Sequence, residues 1–523
     1  MNGAQTLLNT LVDAGVDVCF ANPGTSEMHF VAALDAVPQM RGVLALFEGV
    51  ATGAADGYAR IAGRPAAVLL HLGPGLGNGL ANLHNARRAG VPLVCVVGDH
   101  ATYHKRFDAP LESDIDSVAH TVSGWVRRTE HAQDVASDTA AAIRAACGPP
   151  GQIATLILPA DASWDEVPQG AATPAPAGES VREPATAAAD IAKVLSGDEP
   201  AVMLIGGDAT GAQGVTAAAR IAAATGVKVL CETFPTRLTR GGGLPEIERL
   251  GYFAEAAAAQ LQGARHLILA GARAPVSFFA YPGKASDLVP DGCDVHVLAA
   301  PGEAAGALSD LADLVGADAA APTVSADRPP LPTGPLNPGS IAAAVGALLP
   351  ENAIVVDESN TASIFLPGAT AGAPRHDWLT LTGGAIGFGL PTALGAAIAA
   401  PDRPVWCLQA DGSAMYTLSA LWSYARENLD ITTIVYNNGA YDILRVELQR
   451  VGALDGSSGA PGPKAEALLD LTPPRMDFVA MAQGMGVPAR RATTAKEFCA
   501  ALADARAEPG PHLIEAVVPS MLG

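Results

Sequence analysis

Short, continuous runs of apolar residues alternate along the chain with longer Ala-rich stretches of helical character. The clearest runs are AAVLLHL, PLVCVVG, AVMLIGG, HLILAGA, AIVVDES and TTIVYNN. Because these runs are apolar almost throughout, and not only at every second position, they are typical of strands buried on both faces of a parallel sheet. The pattern predicts an α/β fold of three domains, each a doubly wound parallel sheet. Ligands of such sheets bind at the carboxyl ends of the strands.

Two Pro-rich stretches without periodicity interrupt this alternation, at residues 167–185 and 318–338, and we interpret both as linkers. They leave three segments of ordinary domain size, residues 1–166, 186–317 and 339–523. A chain of 523 residues is too long for one hydrophobic core. A length of about 150 residues per domain also predicts about three domains.

Composition narrows the class of ligand. Hydrophobic residues make up 49% of the chain and charged residues 16%, the formal net charge is −21, and the Lys and Arg residues form no cluster. These features argue against nucleic acid or an anionic membrane surface as the main partner, and they favour a small molecule.

Cysteine usage and the N-terminal sequence indicate the compartment. The seven Cys residues are scattered, odd in number and without CxxC spacing, which favours a reducing environment over a zinc site or a disulfide framework. The stretch MNGAQTLLNTLVDAGVD has neither the basic region nor the apolar core of a signal peptide. No segment has about 18 unbroken apolar residues. We therefore expect a cytoplasmic protein without a membrane span.

The strongest chemical signal lies in CLQADGSAMYTLSALWSYARENLDITTIVYNNGAYDIL, residues 407–444. The pattern predicts a strand ending near Ala410, a helix over roughly 416–428 and a second strand over 431–436. Parallel strands joined by one crossover bring their carboxyl ends to the same edge of the sheet. The residues that follow the two strands should therefore lie side by side.

Asp411 and Asn438 are those residues, although 27 positions separate them. Their side-chain oxygens suit Mg²⁺, and the backbone carbonyl of Ala440 is a third candidate ligand. Gly412 and Ser413 would let a diphosphate approach the start of the helix, where amide groups favour anions. Asp-Gly and Asn-Asn-Gly are also ordinary turn residues that close a βαβ unit, but their joint spacing favours a cation site.

A second stretch, LFEGVATGAADGYAR at residues 46–60, ends an apolar run with the carboxylate of Glu48. Small residues that suit a closely packed helix follow it. We expect Glu48 to be buried, either as a structural acid or as part of a reactive site.

Together these motifs resemble the thiamine diphosphate (ThDP) enzymes of the 2-oxo acid decarboxylase and acetohydroxyacid synthase type. That family's signature is Gly-Asp-Gly and, further along the chain, Asn-Asn, at a separation similar to that between Asp411 and Asn438. In this chain Ala410 replaces the first Gly. The resemblance implies a pyrimidine-binding first domain, a central Rossmann-like domain and a third domain that binds diphosphate and Mg²⁺. It also implies that Glu48 exchanges a proton with the cofactor's aminopyrimidine ring, which activates the cofactor as a nucleophile.

Four further stretches are most similar to benzoylformate decarboxylases within that family: ANPGTSEMHF, LLHLGPGLGNGLANLHNA, TGGAIGFGLPTALGAAI and DGSAMYTLSALW. By position, the resemblance places Thr25 where those enzymes have an active-site Ser and His71 where they have an active-site His. It makes Ile386 the apolar wedge that bends the cofactor, and it makes Gly384 the carbonyl acceptor for the cofactor's amino group.

The middle of the chain departs from that pattern. GARAPVSFFAYPG, residues 271–283, resembles the stretch in which benzoylformate decarboxylases carry a second active-site His, but it contains no His. His100 and His104 are candidates to replace that residue; the alternative is that both are solvated loop residues. FAD, which acetohydroxyacid synthases carry in the central domain, is possible but not favoured. Residues 203–230 offer only a strand, a Gly turn and a helix, which is a weak nucleotide signal.

The stretch at residues 445–474 is predicted to begin as a helix and continue as a Gly/Pro/Ser loop. It is either a lid that excludes water from the substrate or a passive surface insertion.

The resemblance implies an enzyme, a lyase or transferase dependent on ThDP and Mg²⁺. It would decarboxylate a 2-oxo acid to an enamine intermediate and then release an aldehyde or join it to a second carbonyl. The alternatives are an acetolactate synthase-like catalytic subunit that condenses pyruvate, and a ThDP-binding protein without turnover. The family also implies a homodimer or homotetramer with the active site at a subunit interface, between Glu48 of one chain and Asp411 and Asn438 of another.

Overall fold

The computed structural model describes residues 1–167, 186–452 and 461–520. Residues 168–185, which are the predicted linker apart from its first residue, lie outside this part of the chain. Residues 453–460 of the predicted loop also lie outside it. The predicted α/β fold is confirmed, because three mostly parallel sheets are flanked by helices. No helix in the described ranges is both long and apolar enough to cross a membrane.

The first sheet has six parallel strands in the order β2-β1-β3-β4-β6-β5. Its strands are β1 Val18–Ala21, β2 Arg41–Leu44, β3 Ala66–His71, β4 Leu93–Asp99, β5 Trp125–Arg128 and β6 Ile153–Pro159. Its helices are α1 Gly3–Asp13, α2 Met28–Ala36, α3 Glu48–Ala62, α4 Leu72–Ala89, α5 Ile115–His120, α6 Val135–Cys147 and α7 Ala160–Trp164. Every residue of β4 and β6 is buried, as expected for apolar central strands covered on both faces.

The second sheet has five parallel strands in the order β10-β8-β7-β11-β12. They are β7 Ala201–Ile205, β8 Lys228–Cys231, β10 Glu248–Arg249, β11 His266–Ala270 and β12 Asp294–Ala299, while β9 Leu238–Arg240 leaves this domain. The helices are α8 Thr186–Leu195, α9 Ala212–Thr225, α10 Ala254–Leu261 and α11 Ala304–Leu314.

The third sheet has seven strands in the order β17-β18-β16-β15-β13-β14-β9. Its own strands are β13 Ile354–Glu358, β14 His376–Thr380, β15 Val405–Ala410, β16 Ile431–Asn437, β17 Ala489–Ala492 and β18 His512–Val517. The helices are α12 Pro338–Leu348, α13 Leu366–Thr370, α14 Gly389–Ala399, α15 Asp411–Ala414, α16 Ala420–Glu427, α17 Asp442–Arg450, α18 Pro463–Ala467, α19 Phe478–Gly484 and α20 Ala495–Ala507.

Strand β9 is the exception to purely parallel sheets. It comes from the central part of the chain and pairs antiparallel with β14, with Leu238 opposite Trp378 and Arg240 opposite His376. Thr239 Oγ1 also donates to Asp377 Oδ1 at 2.7 Å. The three residues of β9, Leu-Thr-Arg, include one apolar side chain, so the hydrophobic pattern gave no sign of a strand here.

The small residues after Glu48 allow α3 to lie directly against α14 of the third domain. A Cβ on Gly57 would lie 2.1 Å from the Thr392 carbonyl oxygen, and a Cβ on Gly395 would lie 1.7 Å from the Ala54 carbonyl oxygen. Larger side chains would therefore separate the two helices. This contact fixes the first domain against the third and explains the run of Gly and Ala in the sequence.

A buried ion pair lies at the same contact. Arg60 Nη2 lies 2.7 Å from Asp56 Oδ2, and neither side chain is exposed. Arg60 also donates through Nη1 to the Thr380 carbonyl oxygen at 2.7 Å, and its guanidinium group lies 4.7 Å from the ring centre of Phe388. Burial raises the pKa of Asp56, and the adjacent Arg60 opposes that shift.

Candidate active site

The residues of the predicted cation site meet at the carboxyl ends of β15 and β16. Asp411 is buried at the start of α15, and its Oδ2 accepts a hydrogen bond from the Gly439 amide at 2.7 Å. Asn438 Oδ1 accepts from the Ala440 amide at 3.0 Å, and Asn438 Nδ2 donates to Asp442 Oδ2 at 2.9 Å. The structure therefore brings Asp411, Asn438 and Ala440 together from two neighbouring strands.

This set of donors fits a hard divalent cation. It offers the Asp411 carboxylate and the Asn438 amide oxygen, and the Ala440 carbonyl remains a predicted third ligand; oxygen atoms of these kinds are the ligands that Mg²⁺ prefers. Within the described ranges there is no group of three or more His, Cys, Asp or Glu residues that could hold a metal. Burial raises the pKa of Asp411 to about 6, against the hydrogen bonds from Gly439 and Gly412 that lower it. A cation beside Asp411 would favour the ionised carboxylate.

The backbone after Asp411 is closely surrounded. A Cβ on Gly412 would lie 2.3 Å from Cε1 of Tyr441, so a larger residue here would have to displace the Tyr441 ring. Ser413 Oγ accepts a hydrogen bond from Gln409 Nε2 at 2.6 Å. Ala410, where the family has Gly, adopts φ −77° and ψ 150°, an extended conformation open to any residue. The Ala therefore strains no backbone at this point.

The loop at residues 384–389 lies next to this site. Gly384 and Gly387 have φ values of +74° and +93°, in the left-handed region that favours glycine. Ile386 is half-buried and packs against the large core shared by the first and third domains. The loop thus presents one large apolar side chain, Ile386, between two glycines that set its path.

Glu358, at the carboxyl end of β13, holds that loop in place. Its Oε1 accepts from the amides of Gly387 and Phe388 at 2.8 and 3.2 Å, and its Oε2 accepts from Gly389 at 2.7 Å. Gln409 Nε2 donates to the same Oε2 at 2.9 Å and so joins the loop to the segment that carries Asp411. Burial raises the pKa of Glu358, and these hydrogen bonds oppose the shift. Sequence reasoning did not identify Glu358, whose only signal was an acid at the end of an apolar strand.

The first domain holds the same loop from the other side. Asn85 Nδ2 donates to the Ala385 carbonyl oxygen at 2.8 Å, and His84 Nε2 lies 3.1 Å from the Gly383 carbonyl oxygen. Asn82 Nδ2 lies within hydrogen-bond distance of the carbonyl oxygens of both Gly49 and Gly387. Helix α4 therefore links the region of Glu48 to the loop.

Glu48 is the first residue of α3 and, as expected, is buried, with 9% of its surface exposed. Its Oε2 accepts a hydrogen bond from Asn78 Nδ2 at 3.0 Å. The carboxylate also lies close to α4, because a Cβ on Gly75 would be 3.2 Å from Glu48 Oε1. A buried carboxylate with one neutral donor is chemically suited to receive a further hydrogen bond from a ligand.

His71 ends β3 and is held by a buried acid. Its Nδ1 lies 2.8 Å from Glu27 Oε2 and 3.3 Å from Ser26 Oγ. Glu27 is 3% exposed, and its Oε1 has no hydrogen-bond partner among the described residues. Thr25, the predicted counterpart of an active-site Ser, is exposed, whereas the neighbouring Ser26 contacts His71. Sequence reasoning missed Ser26 and Glu27, although both lie in the stretch that carried Thr25.

The other histidine candidates lie after β4. The rings of His100 and His104 are 5.3 Å apart, and His104 also contacts the ring of Phe107. His100 Nε2 is buried and has no hydrogen-bond partner within the described part of the chain. Their role as a replacement for a second active-site His remains a prediction.

The central domain has the predicted strand, Gly turn and helix at residues 203–230, as β7 and α9. Gly207 and Asp208 line a cavity of about 1190 Å³ where the three domains meet. Asp208 accepts from the amides of Gly302 and Ala305 at 2.6 and 2.9 Å, at the start of α11. Because a carboxylate already occupies these amides, this helix start is a poor place for a phosphate group.

Comparisons with known proteins agree with this geometry. Residues 1–120 match the family described as "Thiamine pyrophosphate enzyme, N-terminal TPP binding domain", and residues 368–516 match "Thiamine pyrophosphate enzyme, C-terminal TPP binding domain". The first match contains Glu48 and His71, and the second contains the candidate cation site.

Curated relatives extend the similarity over nearly the whole chain. A protein of Mycobacterium tuberculosis (strain ATCC 25618 / H37Rv), provisionally named acetolactate synthase large subunit IlvX, is 71% identical over 100% of both chains. The benzoylformate decarboxylase of Pseudomonas aeruginosa is 33% identical over 96% of each chain. Among solved structures, the thiamine diphosphate-dependent 4-hydroxybenzoylformate decarboxylase of Rhodococcus jostii RHA1 superimposes with a TM-score of 0.86 at 25% identity, covering 99% of each chain.

Proposed function

Because the chain belongs to the family of thiamine diphosphate-dependent enzymes that includes decarboxylases and acetolactate synthases, we propose that it is a ThDP- and Mg²⁺-dependent 2-oxo acid decarboxylase or carboligase. It would remove CO₂ from a 2-oxo acid and then release an aldehyde or form a bond to a second carbonyl. The observation that carries the proposal is that the buried Asp411 carboxylate and the segment Asn438–Ala440 meet at the ends of two neighbouring strands, next to the loop held by Glu358.

Each part of the site has a role in this proposal. Asp411, Asn438 and the Ala440 carbonyl would hold Mg²⁺, and the backbone around Gly412 and Ser413 would receive the diphosphate. Bound ThDP supplies an electron sink that allows a 2-oxo acid to lose CO₂. The protein must then orient the reacting groups and exclude competing reactions.

Proton transfer would depend on the first domain. Glu48 would bind the aminopyrimidine ring and exchange a proton with it. Because His71 Nδ1 is held by Glu27, its Nε2 is the nitrogen that remains to exchange a proton with the substrate. We propose Thr25, or Ser26 beside it, as a hydroxyl that contacts the substrate.

There are two alternatives to this reaction. The name of the relative at 71% identity favours an acetolactate synthase-like catalytic subunit that condenses pyruvate. A ThDP-binding protein without turnover is the other, but the presence of Glu48, Asp411 and Asn438 argues against it.

Binding of FAD in the central domain is not favoured, since the Asp208 carboxylate already accepts the amide hydrogen bonds at the start of α11. We also propose a cytoplasmic location, because all seven cysteines are free thiols.

Product analysis tests the proposed reaction. The purified protein with ThDP and Mg²⁺ is given pyruvate, benzoylformate or branched 2-oxo acids, and CO₂, aldehyde and acetolactate are measured together. Aldehyde from the larger acids without acetolactate supports the decarboxylase, and acetolactate from pyruvate supports the synthase. No product from any acid, with ThDP demonstrably bound, would refute both reactions.

Replacing Glu358 by Gln is expected to lower kcat by about 100-fold, since a loop displaced by about 1 Å misplaces the groups that it orients. The new amide group would face backbone amides that now donate to the carboxylate, so the loop at residues 384–389 would shift. The neighbouring substitution Asp357→Asn is a matched control, because the Asp357 side chain is buried on the same strand but, among the described residues, accepts hydrogen bonds from Ser359 and Trp378 and not from the loop. Steady-state kinetics should show the large loss only in Glu358→Gln; equal losses in both variants would contradict the assigned role.

We propose that the active site forms between two copies of the chain. Met415 and Tyr416, just after the cation site, are 43% and 55% exposed, which leaves apolar surface for a second copy. Mixing the inactive variants Glu48→Gln and Asp411→Asn tests this arrangement. If Glu48 and Asp411 of one site come from different chains, random dimers recover about one quarter of wild-type activity. No recovery after verified subunit exchange would place both residues of a site in one chain.

A further inference from the structure

The central domain carries a cluster of aromatic side chains that the proposed chemistry does not use. The ring of Phe278 lies 4.9 Å from Phe279, 5.2 Å from Tyr252 and 6.0 Å from Phe234, in edge-on or tilted orientations. Tyr252 in turn contacts Phe253 at 5.1 Å. Such contacts between aromatic rings fix their positions relative to one another. We call these five residues the aromatic cluster.

The aromatic cluster touches the loop that carries Ile386. A Cβ on Gly384 would lie 2.7 Å from Cζ of Phe278, so the ring lies against the backbone of that glycine. Gly384 is the residue whose carbonyl we predict to accept from the cofactor's amino group. Phe278 therefore lies beside the position where the reactive part of the cofactor would bind.

The cluster also touches α17, the helix that follows Asn438 and Ala440. The guanidinium group of Arg450 lies 4.1 Å from the ring centre of Phe253, and its Nη2 lies 2.9 Å from Glu255 Oε2. The aromatic cluster thus contacts both segments that lead away from the candidate cofactor site, the loop at residues 384–389 and α17.

Two of its rings leave a large apolar surface uncovered. Phe278 is 42% exposed and Phe279 is 53% exposed, although both are large apolar side chains. Exposed aromatic surface next to a ligand site is typical of a binding surface and not of a core.

We propose that Phe278 and Phe279 form the wall of the substrate pocket that packs against the side chain of the 2-oxo acid. The substrate class is then 2-oxo acids with a large apolar side chain, aromatic or branched, and not pyruvate. A large apolar group would cover the exposed rings, whereas the methyl group of pyruvate would leave them in contact with water. This inference rests on the proposed function.

The test compares Phe278→Ala and Phe279→Ala with wild type and with the control Val276→Ala. Val276 is 66% exposed on the same segment and is not part of the aromatic cluster. Binding of a phenyl-substituted and a methyl-substituted acylphosphonate to the enzyme loaded with ThDP and Mg²⁺ is measured by calorimetry. Values of kcat/KM for benzoylformate, a branched 2-oxo acid and pyruvate are measured in parallel.

Wild type and Val276→Ala should bind the phenyl compound more tightly than the methyl compound. Phe278→Ala should reduce that preference by about 10- to 100-fold, with little change for the methyl compound. Phe278→Leu should keep part of the preference, because it retains an apolar side chain.

The outcomes separate this inference from the proposed reaction. A phenyl preference that disappears in Phe278→Ala supports the pocket even if no acid is turned over. Turnover with an unchanged side-chain preference in both Phe→Ala variants would overturn the inference and leave the reaction intact. An unchanged preference with a change in oligomeric state, measured by sedimentation, would also overturn it and assign the rings to a subunit contact.

Discussion

Replacing Glu48 by Gln is expected to slow turnover by about 100- to 10,000-fold, the contribution of a positioned acid or base, while ThDP binding changes little. Glu48 is buried at the start of α3 and accepts a hydrogen bond from Asn78. A Gln side chain has the same shape and can still accept that hydrogen bond, but it cannot exchange a proton. The measurements are kcat, the Kd for ThDP, and the rate at which the C2 proton of bound ThDP exchanges with deuterium.

The variant Asn78→Ala is the companion to this experiment. It removes the hydrogen-bond donor but leaves the carboxylate. We therefore expect kcat to fall by about tenfold or less, which corresponds to the free energy of one hydrogen bond. A C2 exchange rate in Glu48→Gln equal to that of wild type would refute the role of Glu48. A larger fall in kcat in Asn78→Ala than in Glu48→Gln would also refute that role.

Replacing Asp411 by Asn should weaken ThDP binding in the presence of Mg²⁺. Removing one partner of a buried charge pair costs about 2–5 kcal/mol, which corresponds to a rise in Kd of roughly 30- to 5,000-fold. Asp411 is 2% exposed and accepts from the amides of Gly412 and Gly439, and an Asn side chain can still accept one of these bonds. The fold should therefore persist, and the thermal midpoint without cofactor checks this point.

Asp470→Asn is the matched control for the cation site. Asp470 pairs through its backbone with Ala440, but its side chain accepts from the amide and the hydroxyl of Thr472. Its Kd for ThDP should stay near the wild-type value. A Kd that is unchanged in Asp411→Asn, measured over a range of Mg²⁺ concentrations, would rule out Asp411 as the cation ligand.

The sequence placed the residues of the predicted cation site together because they follow two strands that are neighbours through a single crossover. The predicted end of the first strand at Ala410 matches β15, and the second strand continues one residue beyond the predicted end, to Asn437. The burial of Glu48 could also be predicted, since an acid at the end of an apolar run with Gly and Ala after it has little access to water. These inferences depend on local pattern and on the rules for parallel strands.

The side chains that contact the predicted site residues from distant parts of the chain could not be predicted from the sequence pattern. Glu27 and His71 are 44 positions apart, and they meet only because β1 and β3 are adjacent in the sheet. Glu358 holds a loop that begins after the next strand, with no fixed spacing between the acid and its amide donors. Phe278 reaches Gly384 from a different domain.

By itself, the sequence determined the alternation of strands and helices, the family, and the polar residues at the strand ends, because each depends on neighbours in the chain or on one crossover. The tertiary structure alone decided which acid orients His71, which acid fixes the loop at residues 384–389, and which aromatic rings lie beside it. Those contacts depend on strand order and on the packing of whole domains. Strand order and domain packing are determined by many weak contacts between surfaces that are distant in sequence. No local sequence pattern therefore predicts these contacts.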